Sequence, residues 1–292
     1  MKTKIYFLCT WVAVIATLIL FEHFLSEQLG IWATSLAHVI ALIVAITMFA
    51  MAKIKNKTKF TLELVPRRET IGSSIVLSGG LLIAMFVRLL MQNLVALIGL
   101  DFVLISHHTG DQITFVVLAI LLPTIFAEIL HRGIFLPRII QLFTKSNESI
   151  NEQKTHILLI SAALFAVTAL DLAGMFGLFI LGLFITWVVL RTNSMLVPLI
   201  FHIIYNALVR GEALLLAAEE PWLIGNFGAA MDIWQIVGFA FIALGVATPS
   251  IYFGARLLDE QEKRSSNSEI FSLVLVTLIL MLIGVSVTFF AR

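Results

Sequence analysis

Charge, cysteine and long polar stretches are what this sequence has least of. Only 13% of the 292 residues are Asp, Glu, Lys or Arg, against roughly 25% in a soluble domain. A net charge of +1 offers no basic face for nucleic acid. The one cysteine, Cys9, lies in an apolar run and excludes an intramolecular disulfide. The longest polar strings, "AKIKNKTKFTLELVPRRET", "KSNESINEQKT" and "LLDEQEKRSSNSE", read as loops or surface helices, too short for a soluble domain. No sequence repeat of fixed period is visible. What remains is apolar: 60% of residues are hydrophobic and the mean hydropathy is +1.04. The fold class that follows is all-α, a polytopic transmembrane helical bundle, with the lipid bilayer as its solvent.

Nine apolar segments can be drawn, at about 5–24, 31–52, 73–99, 113–139, 156–171, 174–190, 195–216, 230–254 and 269–290. The opening "MKTK" and its apolar run to Phe21 lack a small-x-small cleavage site and read as a retained first span. With the N-terminus inside, every Lys and Arg except Arg88, Arg210 and Arg292 falls on the cytoplasmic side. The intervening strings "EHFLSEQLG", "DFVLISHHTGD" and "GEALLLAAEEPW" are neutral or acidic. That asymmetry predicts N-in and C-out, since a miscounted span would invert every later loop. Segments five and six, joined by "DLAG", read as a tight hairpin, and Ala173 and Gly177 give it a small-residue face.

Ionisable side chains at bilayer depth cost about 2.5–3.5 kcal/mol on insertion scales, so they face a cavity or a partner. They cluster in mid-chain. Glu128 and Arg132 are four apart on one helix face, with His131 beside them, and His202 and Asn206 are likewise four apart. Counting the rise per residue from opposite entry points puts Glu128 and His202 at similar depth, which favours one shared polar site. Pro123, one turn earlier, is expected to kink that span. Blander readings stand beside these. Glu128 and Arg132 can be an interfacial ion pair, with Arg132 and Arg138 snorkelling to phosphates. His202 and Asn206 can be interhelical hydrogen-bond glue. Arg88 is expected to pair with Asp171 or Asp101. His107 and His108 make too weak a set for a metal without a third ligand.

The strings "AEILHRGIFLPR", "FAVTA" and "HIIYN" together resemble the three motifs of the CAAX protease and bacteriocin-processing (Abi) family of intramembrane proteases. Those motifs read E-E-x-x-x-R-G, F-x-x-x-H and H-x-x-x-N/D, and the resemblance covers about 113–210. The resemblance implies that Glu128, Arg132, His202 and Asn206 are the site residues of an active member. It also implies two losses: the family's first glutamate is Ala127 here, and its first histidine is Ala169. In active members that pair is thought to activate water, while the last histidine and the asparagine stabilise the oxyanion. An alanine has no lone pair. A general base contributes about 10²–10⁴-fold, and an oxyanion hole without it leaves only residual catalysis.

The chain is therefore expected to be a protease fold whose proteolysis is lost, a scaffold or regulator of a membrane protein or a membrane-anchored envelope enzyme in a bacterial cytoplasmic membrane. Its polar cavity would comprise Glu128, His131, Arg132, His202 and Asn206, with no cofactor, no metal and no nucleic acid. The alternative is an active intramembrane endopeptidase using Glu128 and His202. Rerouted chemistry would need Glu128 with His131 as a displaced acid–base pair, a metal held by Glu128, His131 and His202, or Asp171. A transporter is a further class, though no inverted repeat is apparent. Three parts are expected: helices in 1–112, a family-like core in 113–210, and two further helices in 211–292. The acidic loop with Glu219, Glu220 and Trp222 is a candidate contact surface.

Overall fold

The computed structural model describes residues 2–30, 32–52, 60–97, 114, 116–143, 150–217, 233–259 and 267–290. Asp101, His107, His108, Glu219, Glu220 and Trp222 lie outside the described residues. The described elements are helical, joined by short irregular segments and an isolated parallel bridge between Thr61 and Ser194. In chain order the helices are α1 (Lys2–Ile19), a short α2 (Ser26–Leu29), α3 (Trp32–Met51), α4 (Arg67–Leu97), α5 (Leu122–Glu128), α6 (Leu136–Phe143), α7 (Ile150–Ala166), α8 (Leu172–Thr192), α9 (Leu196–Ala217), α10 (Ile233–Leu258) and α11 (Asn267–Phe290). Among the described residues 7 stretches are long and apolar enough to cross a membrane. Two shorter apolar helices, Lys154–Ala169 and Leu196–Arg210, stand at the fifth and seventh expected segments.

Two apolar cores organise the bundle. The larger joins α4, α6, α7, α8 and α9 through side chains such as Leu77, Leu136, Phe165, Leu181, Ile185 and Tyr205. The smaller joins α1 and α3 to the end of the fourth span, and includes Leu18, Phe49, Leu130 and Phe135. In it Ala37, Ala41 and Ala45 recur every fourth residue along α3, which lets α1 approach closely. α4 and α10 pack closely where Gly72 and Gly254 meet. A Cβ on Gly254 would lie 2.7 Å from the Val76 nitrogen.

The fourth span is not a plain α-helix. Wide π-helical turns, Val116–Leu121 and Ile129–Phe135, flank α5. Each hands over to an α segment whose second residue is proline, Pro123 in α5 and Pro137 in α6. Proline lacks the N–H that would bond four residues back, and its ring needs room there. A wider turn supplies that room without breaking the span. The kink expected at Pro123 is thus spread over a turn on either side.

The α7–α8 hairpin forms as expected. Leu170, at φ 57°, ends the helical run in a left-handed conformation. Asp171 then caps α8 by accepting from the Gly174 N–H. Ser161 and Thr186 lie 3.3 Å apart across the hairpin. Gly177 meets α4 and α9: a Cβ there would collide with the Tyr205 hydroxyl and lie 3.0 Å from Arg88 Cβ.

Candidate functional site

The polar centre lies between the two cores. α5 and the π turn after it carry Glu128, His131 and Arg132, α7 carries Phe165, and α9 carries His202 and Asn206. Arg132 is 0% exposed, and Glu128, His131 and His202 are each 2% exposed. The structure therefore brings the sequence-derived residues together in the interior of the bundle.

Glu128 is the hub. Its Oε1 lies 2.7 Å from His202 Nδ1 and 3.3 Å from Arg132 Nη1. Asn206 Nδ2 lies 2.7 Å from Thr124 Oγ1 and 3.2 Å from His202 Nε2. The Thr124 hydroxyl donates in turn to the Ile120 carbonyl. For a neutral His202 ring these contacts assign every direction. A carboxylate only accepts, so His202 Nδ1 carries the proton and its Nε2 accepts from Asn206. Thr124 spends its own proton on a carbonyl, so it too accepts from Asn206. Both amide protons of Asn206 and the one ring proton of neutral His202 are thus used inside the protein. No donor of this pair is left over for an oxyanion.

Arg132 does not snorkel. Its guanidinium carbon sits 3.9 Å over the Phe165 ring, and none of its nitrogens makes a hydrogen bond among the described residues. Arg138 also turns inward, 3.9 Å over the Phe49 ring, and donates to the Ile134 carbonyl at 2.7 Å. Both contacts correct the interfacial reading of these arginines. The reason is local: each cation lies over an aromatic face inside the bundle, and Arg132 also has Glu128 close by.

Ala127 is buried at 5% exposure and contributes only a methyl group. Ala169, at the end of the single 3₁₀ turn after α7, packs against the larger core. Asp171 gives no replacement: it caps α8 and lies 3.8 Å from Arg88 Nη1, the first of the two partners expected for that arginine. His131 does not form a ligand set with Glu128 and His202. Its ring stands edge-on to Phe165, with centroids 5.2 Å apart. Among the described residues no three His, Cys, Asp or Glu side chains are grouped to hold a metal.

Sequence reading missed four participants. Thr124 completes the hydrogen-bond chain, and Phe165 touches His131, Arg132 and His202 at once. Glu22 and His38 come from outside the motif-bearing region. His38 Nδ1 lies 3.7 Å from Glu22 Oε1, and His38 is within electrostatic reach of His131 and His202. An imidazole inside the second apolar segment was the available signal.

Residues 109–208 match the family model described as type II CAAX prenyl endopeptidase, Rce1-like. That segment of the chain is Rce1-like. The match covers about a third of the chain and holds the centre's residues from Thr124 to Asn206, with Glu22 and His38 outside it. No curated protein and no solved structure matches the sequence. The Rce1-like segment is embedded in a multi-pass helical membrane protein, and Ala127 and Ala169 stand within it.

Proposed function

We propose that this protein is a proteolytically silent Rce1-like scaffold or regulator, which holds a segment of a membrane protein or membrane-anchored envelope enzyme in the cytoplasmic membrane. The observation that carries this reading is the direction of the hydrogen bonds. Asn206 and His202 spend their donors on Thr124, each other and Glu128. Where the motif positions for activating water hold methyl groups, the groups for stabilising charge are also engaged. Such a centre is built to keep its shape.

Holding a partner requires polar groups that remain inside the membrane, and these are present without a complete hydrolytic set. The charge asymmetry of the sequence supports a cytoplasmic N-terminus, and with it a centre in the inner part of the bilayer. The test is extraction from native membranes directly into lipid nanodiscs. Co-purification of one membrane protein in stoichiometric amount, with no cleavage of membrane peptides, is the expected result. A lone protein whose peptide turnover disappears in both Glu128→Gln and His202→Ala would replace this reading with an active endopeptidase.

A further inference from the structure

α11 packs chiefly on α10 and turns the rest of its surface outward, with Phe271 69% and Val274 50% exposed. The two helices are held together unevenly. Toward the start of α10 the contact is backbone to backbone. A Cβ added at Gly238 would lie 2.7 Å from the Gly284 carbonyl oxygen, and one at Gly245 would lie 3.2 Å from that of Thr277. One turn on, Pro249 stands inside α10, where it removes the hydrogen bond to the Gly245 carbonyl and its ring crowds that turn. The last turns of α10 then rest on α4, with Gly254 against Gly72 and Val76. On the α11 side only side chains span the gap, such as Tyr252, whose hydroxyl lies 3.4 Å from Glu269 Oε2. Here an open groove of about 410 Å³ runs between the helices, lined by Thr248 and Tyr252 of α10 and by Ser268, Glu269, Ser272 and Val276 of α11.

The chemistry of the groove is graded along its length. Ser268 opens the span of α11, and Val276 lies eight residues deeper, about 12 Å at 1.5 Å per residue. One leaflet's hydrocarbon is about 15 Å thick, so the groove runs through most of a leaflet. Its deep end is apolar: Val276 and the Thr248 methyl group remain there, because the Thr248 hydroxyl donates to the Leu244 carbonyl. Its shallow end, at the membrane surface, holds the Glu269 carboxylate, the Ser268 and Ser272 hydroxyls and the Tyr252 ring. Arg256 stands beside that end. Its Nη1 donates to the Tyr252 hydroxyl at 2.8 Å and lies 3.6 Å from Glu269 Oε2. Arg256 and Glu269 cancel in charge, and it is the carboxylate, 59% exposed, that lines the groove.

A groove that opens between two lipid-facing helices is filled from the bilayer. Polar groups at the surface and an apolar wall for the depth of a leaflet fit an amphiphile of phospholipid length. We infer that the α10–α11 groove binds a phospholipid whose headgroup carries a primary ammonium. Glu269 and the serine hydroxyls accept its N–H groups, Arg256 balances its phosphate, and an acyl chain lies along Thr248 and Val276. A choline headgroup keeps the positive charge but has no N–H to donate. A glycerol headgroup brings the phosphate's charge to the Glu269 carboxylate with no cation to offset it. α10 and α11 contribute no residue to the Glu128–His202 centre, so this site stands apart from the scaffold reading.

The experiment places the full chain in vesicles of equal parts phosphatidylethanolamine, phosphatidylcholine and phosphatidylglycerol. One lipid at a time carries a diazirine on an acyl chain. After illumination, labelling at Val276 in the groove is divided by labelling at Val274, which two residues of helix turn to the opposite face. The expected ratio is about twofold to fivefold higher for phosphatidylethanolamine than for either other lipid, the range of one exposed ion pair. Glu269→Lys inverts the order in favour of phosphatidylglycerol, a gain that a misfolded protein does not show. Thr248→Phe, which fills the deep end, brings the three lipids to one ratio. Equal ratios for the ethanolamine and choline lipids in the unaltered chain overturn the amine assignment. So does a highest ratio for phosphatidylglycerol, the order that Lys263 and Arg264, close by in sequence, would set on their own. Labelling no stronger at Val276 than at Val274 with all three lipids overturns the site itself.

Discussion

The carboxylate of Glu128 and the imidazole of His202 meet at 2.7 Å although 74 residues separate them in the chain. Each comes from a helix that enters the bundle from the opposite end, and each is almost wholly buried. Their contact converts two side chains that are costly singly into one paired unit. Arg132, four residues along, completes the charge balance.

Removing the charge of Glu128 is therefore expected to unfold the centre. Glu128→Gln keeps the volume and strands the Arg132 cation, at a cost of about 3–5 kcal/mol. Thermal unfolding in detergent should show the loss. The double variant Glu128→Gln, Arg132→Met should recover at least about 1 kcal/mol relative to the sum of the single changes, because contacting residues couple. Strict additivity would mean that the two charges do not depend on each other.

Thr124→Val leaves an Asn206 amide proton unpaired. The expected loss is about 0.6–1.7 kcal/mol, the span found for interhelical hydrogen bonds in bilayers. Thr124→Ser keeps the oxygen and should lie close to wild type. If valine and serine behave alike in the unfolding midpoint, the Thr124–Asn206 contact contributes no stability.

Asp171 has two jobs, and two substitutions separate them. Asp171→Ala removes the helix cap and should cost about 0.5–2 kcal/mol. Asp171→Asn keeps the cap and discards only the ion pair with Arg88, whose side chains are 32% and 23% exposed respectively. A pair so open to its surroundings contributes less than about 1 kcal/mol. Equal losses in the two variants would show that charge, not capping, is what matters.

Gly177→Leu should be the most damaging small-to-large change in the α8 hairpin. Its first added atom already meets the Tyr205 hydroxyl and Arg88, and overpacking of this kind costs about 1–3 kcal/mol or more. Gly133→Ala is the control, since its nearest neighbour to an added Cβ is Ile129 Cγ2 at 3.8 Å. Folded yield after detergent extraction should fall for the first and hold for the second.

Much of this arrangement was legible from residue spacing. Helix rise, counted from each end, already set Glu128 and His202 at one depth, and the small residues Ala173 and Gly177 marked a close helix contact. Spacing failed for Arg132 and Arg138, because the interior aromatic faces that hold them, Phe165 and Phe49, come from distant segments. It failed for Thr124, four residues before Glu128 on α5, because a neutral hydroxyl in an apolar span gives no ionisable signal. Glu22 and His38 escaped notice because no motif surrounds them, though each is an ionisable group in an apolar segment.

Ser35 of α3 donates to the Leu118 carbonyl, and Arg88 of α4 reaches Asp171. Both tethers run from helices before residue 109 into the stretch that bears the family resemblance. An excised 109–208 fragment would lose the smaller core and uncover Phe135 and Leu130 to lipid. Kinship in sequence and autonomy in folding thus have different borders here. Transplanting this stretch between relatives should succeed only when the first four helices travel with it.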